Sequence, residues 1–153
     1  MNKRVAVVTG GIGGLGTEIC KTLARAGRTV VAADLGARAE RIAEFQSDTA
    51  GFDIRFEALD AGDFESCAAL VRKIETDLDT LDILVNAAGI TRDGTLRKMD
   101  KVQWDSVMSV NLDSVFNMCR HAVDGMMARG FGRIVNISSV NGQTGQFGQT
   151  NYS

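Results

Sequence analysis

The chain's only tyrosine, Tyr152, follows Ser139 by 13 positions. A phenol can give a proton to a developing alkoxide, and a nearby hydroxyl can hold the carbonyl oxygen from which it forms. Asn111 stands further upstream, where a long helix is expected to begin. Each residue also has a plain alternative: a serine pair after a strand can be turn chemistry, and Asn111 can cap a helix. His121 is the single histidine, so counting excludes a histidine-based triad and a multi-histidine metal site. Cys20, Cys67 and Cys119 are odd in number and lie 47 and 52 positions apart, without the paired spacing of zinc or redox motifs. Each falls on the apolar face of an expected helix, where cysteine acts as a small hydrophobe.

A second constellation lies at the other end. Thr9-Gly10-Gly11-Ile12-Gly13-Gly14-Leu15-Gly16 sits between a β-branched run and an amphipathic segment. Residues without Cβ atoms let a backbone turn tightly and approach a pyrophosphate, and the free amides and dipole of a helix start favour the anion. A glycine-rich turn can also serve only as a bend. Asp34 closes the next strand 18 positions after Gly16, where a carboxylate can accept from adenosine ribose hydroxyls and repel a 2′-phosphate. That favours NAD over NADP, although Arg38 and Arg41 stand close by.

Alternating elements must carry these residues. Strands are expected at Lys3–Thr9, Thr29–Ala33, Ile54–Leu59, Leu81–Val85 and Arg133–Ile137. Leu15, Ile19 and Leu23 mark a helix ending near Gly27, and 37–49 reads as a second. Asp63 is a candidate cap for a third, with an apolar face of Phe64, Cys67, Val71, Ile74 and Leu78. Asp100 is a candidate cap for a helix through Trp104 and Val107. A longer one carries Leu112, Val115, Cys119, Val123 and Met126 to Gly130, and its methionines suit either core or a subunit contact. Apolar strands alternating with helices predict an α/β fold with a doubly wound parallel sheet of Rossmann type, with residues 1–153 as a single dinucleotide-binding domain.

Composition narrows the classes further. In 153 residues, 44% are hydrophobic and 24% charged, which is globular rather than disordered. A net charge of -2 provides no footprint for nucleic acid. Apolar runs such as Val5–Val8 are far short of the ~20 residues that span a bilayer, and no signal-peptide pattern follows Met1. A cytoplasmic protein without a membrane or nucleic-acid partner is expected.

Thr-Gly-x3-Gly-x-Gly, Asn86-Ala87-Ala88-Gly89, Asn111, Ser139 and Tyr152 together resemble the short-chain dehydrogenases/reductases over essentially the whole chain. The resemblance implies Tyr152 as general acid/base, Ser139 as the group that positions the carbonyl, and Asn111 as support for a proton-relay water. It implies cofactor contacts from Gly10, Ile12, Gly13, Gly14, Leu15, Gly16, Asp34, Asp60, Asn86, Ala87, Ala88, Gly89 and Ile90, with no metal. Ile90–Asp93, Lys98-Met99, Trp104 and Gly132–Tyr152 are similar to the acetoacetyl-CoA reductases of polyhydroxybutyrate synthesis within that family. This implies an acyl-CoA substrate against Asp93, Gln146, Phe147, Gly148 and Gln149. The carrier-protein 3-oxoacyl reductases and a non-catalytic dinucleotide-binding fragment are the alternatives. That subgroup mostly uses NADPH, with small and basic residues where this chain has Asp34, Leu35 and Glu40, so NAD and NADP both stay open. The family's lysine four positions past the tyrosine would be residue 156. The sequence is therefore expected to be an N-terminal part, truncated after the fifth strand and inactive alone, of a protein that forms homotetramers when complete.

Overall fold

The structure, a computed structural model, describes residues 3–153. Five strands, β1 (Val5–Thr9), β2 (Thr29–Asp34), β3 (Ile54–Ala58), β4 (Ile83–Asn86) and β5 (Arg133–Asn136), form one sheet in the order β3-β2-β1-β4-β5. Every neighbouring pair is parallel, as the apolar runs require. Between them lie α1 (Gly14–Arg25), α2 (Ala39–Asp48), α3 (Phe64–Leu78), α4 (Lys101–Met108) and α5 (Ser114–Ala128), and the short α6 (Asn141–Thr144) follows β5.

Side chains of successive strand residues point to opposite faces, so each strand feeds two cores. Val5, Val7, Val31, Ala33 and Leu84 pack with Cys67, Val71 and Ile74 of α3 and Met118, Ala122 and Met126 of α5. Ala6, Val8, Val30, Ala32 and Val85 pack on the other face with Cys20 of α1 and Phe45 of α2. The sheet is doubly wound. Its strand order reverses between β1 and β4, and such a switch point opens a crevice at the carboxyl ends of the strands.

Helix starts follow the expected capping chemistry. Asp63 accepts from Ser66 N at 2.6 Å, and Asp100 forms a reciprocal capping box with Gln103.

Three expectations need correction. Asn111 does not begin a separate helix, because α4 and α5 are joined without a break by a π-turn over Ser109–Asp113. The buried side of α5 is also not centred on the expected stripe. Ser114, Asn117, Met118, Ala122 and Met126 are buried, whereas Leu112 and Phe116 are exposed and Val115, Cys119 and Val123 are half-buried. The buried polar members are satisfied: Ser114 Oγ donates to Val110 O at 2.6 Å, and Asn117 Nδ2 donates to the carbonyls of Ala61 and Gly62 at 3.1 and 3.2 Å. A reading by hydrophobicity passes over such residues. Phe64 is likewise exposed, against Phe116 and His121 at ring-centroid distances of 6.2 and 4.3 Å.

Candidate active site

The expected site residues gather at the carboxyl edge because Thr9, Asp34, Asn86 and Asn136 each close a strand. Thr9 Oγ1 accepts from the amides of Ala87 and Ala88, both at 3.1 Å, which ties the end of β1 to the loop after β4. Gly10 has φ +65°, and a Cβ there would lie 2.9 Å from Ala87 O. A Cβ on Gly16 would lie 2.1 Å from Gly10 O, whereas one on Gly14 would meet nothing within 4 Å. The glycines thus divide between closing the loop and leaving its floor open. No side chain caps α1, and its first bond runs from Thr17 N to Gly13 O at 2.8 Å. The amides of Gly14, Leu15 and Gly16 precede that bond and remain for an anion.

A cleft of about 300 Å³ runs from this loop past Asp34, Leu35, Arg38, Asp60 and Gly62 to Ala87–Ile90. Asp34 Oδ1 accepts from Leu35 N at 2.8 Å, with the Arg38 guanidinium 3.9 Å away. Asp60 Oδ1 accepts from Gly62 N at 3.0 Å, which shapes the turn after β3. Each carboxylate has its other oxygen available. Arg41 is not free for a phosphate: its Nε donates to Ile12 O at 2.8 Å and its Nη1 pairs with Glu44 at 3.1 Å.

A second cleft of about 570 Å³ shares Leu15 and Ala87–Ile90 with the first and continues past Asn111 to Ser139 and Tyr152. Through these shared residues they form one trough, with volumes on the scale of small-molecule sites. Asn111 Oδ1 accepts from Ile90 N at 2.8 Å and its Nδ2 donates to Ile90 O at 2.9 Å. Its amide is therefore occupied in bracing the trough wall. Ser139 Oγ accepts from Asn141 N at 3.3 Å.

Two expected cofactor residues turn inward instead. Ile12 is fully buried in the core beneath the loop, so any ligand role left to it is its amide. Asn86 is buried at the end of β4 and donates to Asn136 Oδ1, its register partner on β5, at 2.8 Å. Its side chain joins strands and does not line the trough. None of the expected acyl-side residues Asp93, Gln146, Phe147, Gly148 and Gln149 lines either cleft. Gln149 Nε2 donates to both Asp93 carboxylate oxygens at 3.1 and 3.2 Å, and Gly94 N donates to Gly148 O at 2.8 Å. Gln146 is exposed, and Phe147 is 88% exposed and touches neither cleft wall.

Sequence reading passed over several residues that hold the site. Asn151 is buried and donates to the carbonyls of Arg92 and Gln103 at 3.0 and 3.2 Å, which fixes the chain just before Tyr152. Asn117 on α5 fastens the turn after β3, and Asn141 Nδ2 donates to the Gln149 side chain at 2.9 Å. Asparagine is common in loops, so its type alone carries no signal of such bonds. Burial pushes the thiols of Cys20 and Cys67 up to about 12, in keeping with a packing role.

A doubly wound sheet with a glycine loop at its switch point defines a dinucleotide-binding class of fold. Within that class, residues 4–153 match the short chain dehydrogenase family, and the chain belongs to it. It is 54% identical to an acetoacetyl-CoA reductase of Allochromatium vinosum, over 98% of this chain and 62% of that protein. It is 52% identical to nodulation protein G of Azospirillum brasilense, over 100% of this chain and 63% of that one. The crystal structure of gox2181 matches with a TM-score of 0.88 at 29% identity, covering 99% of this chain and 60% of the other. The chain thus spans less than two thirds of the length of these relatives.

Proposed function

We propose that the whole protein reduces the 3-oxo group of an acyl thioester, taking acetoacetyl-CoA to (R)-3-hydroxybutyryl-CoA with a nicotinamide cofactor. The observation that carries this reading is the single trough that joins the glycine loop to Ser139 and Tyr152 through Leu15 and Ala87–Ile90. The similarity to an acetoacetyl-CoA reductase supports the choice of substrate.

The amides of Gly14–Gly16 take the pyrophosphate, Asp34 accepts from the adenosine ribose, and Asp60 and Ala87–Ile90 line the adenosine side. Asp34 favours NADH, because a 2′-phosphate would meet like charge. When bound, the reduced dinucleotide supplies the hydride. Ser139 Oγ donates to the 3-oxo oxygen and Tyr152 Oη gives its proton to that oxygen as negative charge develops there. Asn111, whose side-chain amide is held on Ile90, braces the trough wall and supports a proton-relay water on the family resemblance. Asp93 and Gln149, which bond to each other and line neither cleft, are read as a polar wall for the acyl portion through the family resemblance alone.

The test uses the full-length protein with acetoacetyl-CoA and either reduced cofactor, and the chirality of the product. The (R)-alcohol is expected. No turnover with either cofactor overturns the reading, and faster turnover of acetoacetyl-acyl carrier protein moves the substrate to the carrier-bound thioester.

A further inference from the structure

Between the proposed acyl wall and the proposed catalytic serine lies a residue that bonds to both. Asn141 N–H donates to Ser139 Oγ at 3.3 Å, and Asn141 Nδ2 donates to Gln149 Oε1 at 2.9 Å. The other end of the Gln149 amide is fixed by its two bonds to the Asp93 carboxylate. Gly94 N–H on Gly148 O fastens the same two segments through the backbone. Asn141, Ser139 and Gln149 are all half-buried.

A serine hydroxyl has one donor and two acceptor lone pairs. With a lone pair held by the Asn141 amide, the Ser139 proton is left for another acceptor, and accepting one bond strengthens the bond it donates. We infer that Asn141 is a positioning residue that couples the Asp93–Gln149 wall to the Ser139 hydroxyl, so that the acyl-binding segment sets the catalytic donor. The sense of the coupling is fixed by charge. The carboxylate can only accept, so Gln149 presents Nε2 to Asp93 and Oε1 to Asn141, and Asn141 must donate. This rests on the role proposed above for Ser139.

The polarity can be reversed. In Asn141→Asp the new carboxylate meets Gln149 Oε1, and turning that amide round would instead aim its oxygen at Asp93. Adding Asp93→Asn resolves the conflict, because the turned amide then donates to the carboxylate introduced at position 141 and accepts from the amide introduced at position 93. In the full-length protein, Asn141→Asp is expected to lower kcat on acetoacetyl-CoA about tenfold while the cofactor's KM stays within about twofold, and the double variant is expected to recover most of the loss. A double variant no faster than Asn141→Asp, or loss confined to KM, overturns the inference. If Asn141→Asp does not fold, Asn141→Ala, which only deletes the side-chain bond, is read in its place for the same loss of kcat.

Amide hydrogen exchange separates this outcome from failure of the functional reading. Without any turnover of acetoacetyl-CoA by the parent protein, that reading falls, but exchange at residue 141 still reports the coupling. Relative to intrinsic rates it should quicken at least about tenfold in Asn141→Asp and slow again in the double variant. Unchanged protection overturns the inference.

Discussion

Asp34 and Arg38 face the same end of the trough with opposite charge, 3.9 Å apart, while Arg41 is turned beneath the glycine loop onto Ile12 O. The two arginines, alike in sequence, therefore have different work. In the full-length protein kcat/KM is expected to favour NADH. Arg38→Ala should reduce use of NADPH selectively, whereas Arg41→Ala should weaken both cofactors by loosening the loop. Kinetics with each cofactor check this, and a clear NADPH preference in the parent protein would contradict the role of Asp34. The cysteines offer a second check. Burial pushes the Cys20 and Cys67 thiols up to about 12 and shuts them off from solvent, so alkylation should reach neither until the protein unfolds. Labelling of either in the folded protein, read by mass spectrometry, would contradict it. Where a residue type is scarce the sequence singles it out, as it does Tyr152, which the structure puts on the wall of the second cleft. The inward turn of Ile12 and Asn86 was not legible, because a motif gives a residue's position in the chain and not the direction of its side chain.

The five strands and the first three helices were legible to within two residues because strand runs and caps are local signals, whereas the short α6 was not read. The π-turn was not, since no residue type marks the insertion, and the α5 face was misplaced because Ser114 and Asn117 are buried by hydrogen bonds and not by hydrophobicity. The glycine loop offers the sharpest test at this scale. Gly16→Ala would place a Cβ 2.1 Å from a backbone carbonyl that cannot move aside cheaply, a cost of about 1–3 kcal/mol together with loss of dinucleotide binding. Gly14→Ala has open space, so it should leave the melting temperature almost unchanged while weakening the dinucleotide. Thermal denaturation and cofactor titration distinguish them, and equal melting shifts would contradict the division of labour.

On the scale of the molecule, β5 stands apart. All four of its residues are exposed, and Val123, Met126, Met127, Phe131 and Ile134 line an open groove beside it, whereas β1 is buried throughout. An unpaired apolar edge associates with other chains. Residues 1–153 expressed alone are expected to self-associate in sedimentation, and a monodisperse preparation would contradict this. The doubly wound class was legible from alternation and an open apolar edge was expected, while the order β3-β2-β1-β4-β5 that puts β5 at that edge is not a local property. The central claim is that the far end of the trough does proton chemistry at Tyr152, and it is tested most directly by Tyr152→Phe in the full-length protein. General acid catalysis is worth about 10²–10⁴-fold. In that variant kcat on acetoacetyl-CoA should fall by at least about 10²-fold with cofactor affinity nearly unchanged, and near-parental kcat would contradict proton transfer from Tyr152.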